Sequence, residues 1–484
     1  MPNKTKRNTT LTLAAVFTAA GVLYALISLV NHYLFKTYAL DLGLYTHAMY
    51  DYVHFCIDDC TMFKATPQCI LSDHFDLYLM LLSPLVLVFG SYTLLIVQIA
   101  AVLLGGWGVY KLIGLYTDDE WLPILAAAML LFSFGVIHPL SFDYHSNVLT
   151  AMMFPWLLYF LKLKKYGLAS LFVVLFVIGK ENMSLWLFFV AIGLMWDYRK
   201  DKKTLWYLAG YAAFSIVYFY LINMVVMPRL GGAGGGFGRY KYLGSDYTEI
   251  ARNLLSQPWE SIQMLFTNTT GISHYNGIKE EFYCCALATG MILTLLKPNY
   301  LFMLIPLIGQ KMFAASHLFW GVSLQYSVEF MPVLVISAFL VIIKLKKRVP
   351  RLVLACALLL STIWNTFYTI DKPKSFIIAD QVRVYDGQHY QQKGFDIQYA
   401  RELIKQIPDG ASVCAGRMFV PHLALRPEVY DFYAVAPHVR ADYMLVTTYY
   451  LELERGGKLW MNYRDEYETV ATDGTLYLLR RIQP

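Results

Sequence analysis

Four short basic runs, Lys4 to Arg7, Lys162 to Lys165, Arg199 to Lys203 and Lys344 to Arg351, stand between long apolar stretches. Loops on the cytoplasmic side of a membrane are enriched in Lys and Arg, so placing all four runs there fixes a topology with the amino terminus inside. Stretches approaching the ~20 residues that cross hydrocarbon run Leu11 to Tyr33, Tyr92 to Leu115, Trp121 to Ile137, Val148 to Leu161, Leu205 to Met227, Phe282 to Leu296, Tyr300 to Ala315, Val328 to Ile343 and Leu352 to Thr366. One more block, Leu168 to Trp196, is interrupted by Lys180, Glu181 and Asn182 and has both ends on the basic side. It reads as two short helices that enter and return. The total is about eleven membrane segments, an odd number that puts the carboxyl terminus outside.

Composition agrees: 57% of residues are hydrophobic and 15% charged, as in polytopic α-helical membrane proteins. The net charge of +6 comes from cations that flank the apolar segments, which excludes nucleic acid as a partner. Met1 to Arg7 has the charge of a signal-peptide leader, but the apolar run that follows is too long and has no clear small-x-small cleavage site.

Three regions lie outside in this topology: the loop 36–90, the stretch 228–281, and everything after Asp371. The chain divides into a transmembrane domain, 1–370, and a soluble extracytoplasmic domain, 371–484, where charged residues rise to roughly one in four, ordinary for soluble proteins. There a helical run from Ile397 to Ile407 passes through Pro408, Asp409 and Gly410 into a strand from Ala411 to Ala415, and a second strand runs from Tyr443 to Thr447, which predicts a small α/β fold. Within it His422 and Arg426 either bind an acceptor or pack on the outer loops. Of the seven cysteines, Cys56, Cys60 and Cys69 share the first outer loop. One disulfide or free thiols both suit them, and no His stands at a zinc-site spacing.

The first outer loop opens with Asp41. Leu42, Tyr45, Met49, Tyr52 and Val53 recur at helical spacing, which predicts an amphipathic helix lying flat on the membrane with Asp41 at its amino-terminal end. A carboxylate there caps backbone N–H groups, acts as a general base, or does both. Further along, Asp73, His74 and Asp76 precede Leu77 to Phe89, an apolar stretch broken at Ser83 and Pro84. The break favours a surface or partly inserted helix over a full crossing. His74 then faces the same cavity as Asp41, or is a solvated loop histidine.

Other polar residues fall at membrane boundaries on the same outer side: His138, Asp143, His145 and Asn147; Arg229, Arg239 and Lys241 around a glycine run at 231–236; and Lys311, His317, Gln325 and Glu329. A cavity opening outward gathers them. The glycine run lacks the Lys-Ser/Thr of a P-loop and reads as a flexible loop. Lys180 and Glu181 form the one charged pair well inside the membrane, where such groups are either functional or mutually neutralising.

Several motifs in order, Asp41-Leu-Gly-Leu-Tyr45, Asp73-His-Phe75 with Ser83-Pro84, Phe142-Asp-Tyr-His145, Gly179-Lys-Glu181, Arg239-Tyr-Lys-Tyr-Leu243, Pro421-His-Leu-Ala-Leu-Arg426 and Ala441-Asp-Tyr443, span nearly the whole chain. In these the chain resembles a family of prokaryotic membrane proteins of unknown function within the GT-C superfamily of polyprenyl-phosphate-dependent glycosyltransferases. It departs from the family pattern at Asp76-Leu77, where Ser-Pro is usual, at Asn182, where an acid is usual, and at Gln325, where a His is usual.

The resemblance implies a GT-C-like membrane domain whose first outer loop carries two surface helices and a catalytic acid near its start, a position that falls on Asp41. The implied activity is inverting sugar transfer from a polyprenyl-phosphate donor to a cell-envelope glycan, lipid or protein on the outer face of the plasma (inner) membrane. Asp41 is the expected general base, with His74 beside it. Asp73, Asp143, His145, Lys180 and Glu181 are expected to bind substrate, and Arg229, Arg239, Lys241 and Lys311 to meet the departing phosphate. A divalent cation, Mg or Mn, held by Asp41 with Asp73 or His74 is compatible with this chemistry but not required. Two other classes compete. A transporter of a lipid or polar solute gathers its polar groups near the midplane, which only Lys180 and Glu181 satisfy; a non-catalytic envelope scaffold on a degenerate GT-C core is favoured if Asp41 tolerates replacement.

Overall fold

Backbone N–H and C=O groups in hydrocarbon have no water to bond, so apolar sequence there becomes helix. The computed structural model describes residues 2–57, 60–64, 66–232, 237–435, 438–448 and 464–482; most of the glycine run, 233–236, lies outside the described residues. Among the described residues four helical stretches are long and apolar enough to cross a bilayer, Arg7–Tyr33, Leu77–Ile113, Lys202–Arg229 and Arg348–Asp371, with a fifth if Trp121–Leu131 and Phe134–Leu140, bent by 44°, count as one. Tyr166–Val177, Met183–Asp197 and Phe330–Ile342 are shorter apolar helices. At 1.5 Å per residue, lengths of 12 and 15 residues for the first two reach about 18–22 Å, short of a ~30 Å core. The interruption at Lys180 to Asn182 does separate two helices, as expected. Where eleven segments were expected, the described residues form four or five helices long enough to cross and several shorter ones.

Internal contacts divide the chain into two compact units: Met1–Ala25 with Ser72–Asp76 and Gln98–Arg383, and Leu26–Leu71 with Leu77–Val97 and Val384–Pro484. In the first unit, the expected span from Phe282 to Leu296 is interrupted between helices Ile278–Ala286 and Ile292–Thr294, where Gly290 takes φ +105°, a conformation that favours glycine. Side chains of Arg348–Asp371 meet the carbonyls near the break. Asn365 donates to the Cys285 carbonyl at 2.9 Å and to Thr289 Oγ1 at 3.0 Å, and Ser361 donates to the Ala288 carbonyl at 2.9 Å. Polar side chains inside the helix bundle thus replace the bonds that a continuous helix would supply.

The second unit holds a five-stranded mixed sheet, order β2-β1-β3-β5-β4, made of β1 (Val413–Ala415), β2 (Val429–Asp431), β3 (Tyr443–Thr447), β4 (Tyr467–Thr472) and β5 (Leu476–Arg481). β1 pairs in parallel with β2 and β3, while β5 pairs antiparallel with β3 and β4. The helix Ile397–Lys405 starts at Asp396, whose carboxylate accepts from the Tyr399 N–H at 2.9 Å. Cys414, Tyr430, Phe432, Met444, Val446 and Leu479 form the core on the sheet.

The sheet does not stand alone after residue 370, as the composition suggested. It is tied to the first outer loop: the Asp431 N–H donates to the Met62 carbonyl at 2.9 Å, His47 Nδ1 lies 3.0 Å from the Ala424 carbonyl, and Lys36 Nζ donates to the Gln388 and His389 carbonyls at 3.2 and 2.9 Å. This packing corrects the surface-helix expectation. In the helix Leu44–Val53, preceded by the π turn Ala39–Gly43, Leu42, Tyr45, Met49 and Tyr52 are buried. The apolar face that would lie on lipid is covered by protein instead. The segment Leu77–Phe89 is the one that leaves Leu81, Leu87 and Val88 exposed, as a partly inserted helix does.

His422 and Arg426 serve this packing. Arg426 donates to the Leu423 and Ala411 carbonyls at 3.0 and 3.3 Å. The His422 ring stacks on His32 at 4.1 Å and tilts against Phe35 at 4.0 Å. Burial lowers the His422 pKa well below 6.5, helped by the nearby His32 and Arg401. A histidine with a lowered folded pKa binds fewer protons folded than unfolded, so its contribution to stability is lost as pH falls below the unfolded value. We expect the stability of the detergent-purified protein to fall between about pH 7 and pH 5, by at most ~1.4 kcal/mol per pH unit for this group, seen as a lower unfolding temperature, and His422→Phe to flatten that slope in a thermal melt.

Candidate functional site

The polar residues expected around an outer cavity fall into both units. Asp41 belongs to the second, and its local setting differs from the expected cap. It lies inside the π turn Ala39–Gly43, whose N-cap is Tyr38, and it is half-buried. A Cβ on Gly43 would come within 3.0 Å of Val420 Cγ1 and 3.5 Å of the Pro421 nitrogen, so glycine lets this turn seat against the helix Val420–Leu423. The motifs around Asp41 and Pro421, far apart in sequence, meet here as one packed element.

The first unit gathers most of the others. Glu181 holds the Asp73-His-Phe75 motif with both carboxylate oxygens: Oε1 lies 3.1 Å from His74 Nδ1, and Oε2 accepts from the Phe75 N–H at 3.1 Å. This corrects the expected Lys180–Glu181 pair. Glu181 is committed to His74, and Lys180, half-buried, makes no ion pair among the described residues. His74 is about 20% exposed, so it is neither a solvated loop residue nor sealed off. Asp73 is exposed.

Asp143 and His145 sit on a turn between helices Phe134–Leu140 and Ser146–Lys162. Asp143 takes φ +52°, a left-handed conformation that Asp tolerates better than most residues. Gln98 holds the turn from both sides. Its Nε2 donates to the Asp143 carbonyl and its Oε1 accepts from the His145 N–H, each at 2.9 Å. Burial lowers the His145 pKa well below its usual value, with the charges of Lys180 and His74 lowering it further. The imidazole is therefore neutral at physiological pH. Asn147 donates to Glu329 Oε1 at 2.8 Å and to the Gln325 carbonyl at 3.3 Å. Asn147 Oδ1, Thr150 Oγ1 and Gln325 Oε1 are buried without a protein hydrogen-bond partner. Buried polar atoms are nearly always bonded, so this wall is built for a polar guest or water.

The expected phosphate-binding cations do not converge. Lys311 is buried, with its ammonium bonded to the carbonyls of Phe319, Gly321 and Tyr326 at 2.8, 2.6 and 3.2 Å and to Ser327 Oγ at 3.2 Å. These bonds take up its three protons, and it acts as an internal clip. Arg229, Arg239 and Lys241 are exposed, and the Arg239 guanidinium lies 4.4 Å from the Phe319 ring centroid. Among the described residues no group of three or more His, Cys, Asp or Glu is arranged to hold a metal.

A model of predicted membrane proteins, DUF2079, matches residues 31–463. The chain belongs to the DUF2079 family. Like other members of that family it is a membrane protein, and its fold is similar to that in the crystal structure of ArnT from Cupriavidus metallidurans bound to undecaprenyl phosphate, with a TM-score of 0.53, 10% identity and 98% of each chain covered. No curated protein matches the chain. Gln98 was not singled out from sequence, although a lone amide inside the apolar run from Leu94 to Leu104 was the available signal, because an amide in such a setting needs partners. Replacing it by Met, of similar length but without the amide, strands a buried carbonyl and a buried N–H at about 1–3 kcal/mol each. The expected result is a lower unfolding temperature in detergent.

Proposed function

We propose that this DUF2079 protein is a membrane glycosyltransferase that moves a sugar from a polyprenyl-phosphate donor to a cell-envelope acceptor on the outer face of the plasma membrane. The observation that carries the reading is the fold shared along the whole chain with a protein crystallised with undecaprenyl phosphate. The buried amide and hydroxyl oxygens of Asn147, Thr150 and Gln325 support it, since sugar hydroxyls are suitable partners for them. In this reading the four basic runs face the cytoplasm and the sheet-bearing unit lies outside.

Asp41 acts as the general base. It takes the proton of an acceptor hydroxyl as that oxygen attacks the anomeric carbon, and the bond from that carbon to the phosphate oxygen breaks on the opposite face, so configuration inverts. In the first unit, His74, whose Nδ1 is held by Glu181, and Lys180 are the groups proposed to interact with the donor. Asp143 and His145 shape the wall where the sugar binds. Glu181 is a positioning residue in this scheme, because it acts through His74.

Membranes bearing the protein, supplied with a panel of polyprenyl-phosphate sugars and an envelope fraction as acceptor, should transfer sugar. Asp41→Asn should lower the rate at least about 100-fold with the fold intact. Glu181→Gln should lower it roughly 10–100-fold and shift the pH profile, because the histidine loses its orienting carboxylate. Full activity in Asp41→Asn would remove the base from this scheme and favour the scaffold reading.

A further inference from the structure

The first unit also has a cavity of about 280 Å³ at the ends of the helices that carry the basic runs. Three ammonium groups line it: Lys162, at the end of Ser146–Lys162; Lys297, just before Pro298–Met303; and Lys344, just past Phe330–Ile342. Only one carboxylate, Asp197, faces them. Asp197 is already engaged, accepting from Asn299 Nδ2 at 3.0 Å and lying 3.7 Å from Lys297 Nζ. Lys162 and Lys344 have no ion pair among the described residues; the Lys162 ammonium instead rests 4.3 Å from the Tyr116 ring centroid.

The remaining lining divides in two. Tyr116, Tyr198 and Tyr300 supply phenols, and Leu158, Leu194, Leu340 and Ile343 form an apolar wall. Burial, then the charge of Asp197, pushes the Tyr116 pKa up to about 12, so this phenol stays a donor. Lys297 and Lys344 line the same cavity; burial lowers the Lys297 pKa, Asp197 partly restores it and the charge of Lys344 lowers it again. Lys162 and Lys344 are exposed, so the cavity is open to the outside, and like charges around one opening repel less when an anion lies between them. Flanking lysines that only set membrane orientation have no need to converge on a cavity, nor to face phenol donors across it. The volume is several times the ~30 Å³ share of a water molecule and near the low end of small-ligand pockets at ~300 Å³.

We propose that this cavity is a binding site for a phosphate group, carried either by an anionic lipid headgroup or by a soluble phosphate ester. Lys162 and Lys344 supply the two uncompensated charges, Tyr116 and Tyr198 donate to phosphate oxygens, and the apolar wall takes the first carbons of the attached chain. The site is separate from the proposed transfer site, and its occupancy does not depend on that activity.

The full-length protein in detergent is incubated with phosphatidic acid or phosphatidylcholine and followed by native mass spectrometry, and inorganic phosphate is titrated by calorimetry. Retention of phosphatidic acid over phosphatidylcholine, weakened at least about tenfold in the Lys162→Ala/Lys344→Ala double variant and kept in the double Arg variant, assigns the site to a lipid phosphate. Lysine-dependent binding of inorganic phosphate assigns it to a soluble one. A thermal melt of each variant separates loss of binding from loss of fold. Equal retention of the two lipids with no phosphate binding, or unchanged binding in a folded double Ala variant, overturns the proposal.

Discussion

The need to satisfy every backbone N–H and C=O away from water governs this molecule more than any single contact. Where the chain runs as a long helix it meets that need alone; where it breaks, side chains must step in. Asn365 and Ser361 do so at the Gly290 break, and Gln98 does so at the turn holding Asp143 and His145. The groups proposed to bind substrate stand at such breaks. A continuous helix has no spare backbone to shape around a ligand, so the helical interruptions that weaken a membrane protein are also where it builds a site.

Charge follows a similar logic. Buried cations are tolerated when their protons are used up, as in Lys311, and buried carboxylates when both oxygens are engaged, as in Glu181. A salt bridge inside a protein is a weak argument for stability, but it is a good device for fixing direction. Glu181 leaves His74 few orientations, and that fixed imidazole matters more to the proposed chemistry than the energy of the pair.

Much of this was legible in the sequence. Apolar runs separated by basic ones gave the membrane class, the Lys180 to Asn182 interruption gave the two short helices, and the Ile397 and Tyr443 segments gave a helix and a strand of the second unit. What was not legible depended on contacts between distant segments. The helix after Asp41 has the amphipathic pattern of a surface helix, and periodicity cannot say whether its apolar face meets lipid or protein. Lys180 and Glu181 look like a pair because they are adjacent, whereas Glu181 reaches back 107 residues to His74. Lys311 looked like a phosphate ligand because sequence shows the charge and not the carbonyls that surround it. Strands β4 and β5 went unseen although Asp473 and Gly474 mark a hairpin turn between them, a short-range signal that could have been read.

The second unit draws its residues from both ends of the chain, which gives its assembly a schedule. His47 finds its partner carbonyl 377 residues later, an interval of roughly 20–75 s at bacterial or eukaryotic rates of synthesis. Throughout that time the turn bearing Asp41 has left the ribosome, while the helix Val420–Leu423 against which it seats has yet to be made. A ribosome that stops before Val420 leaves the proposed base without the helix against which its turn seats.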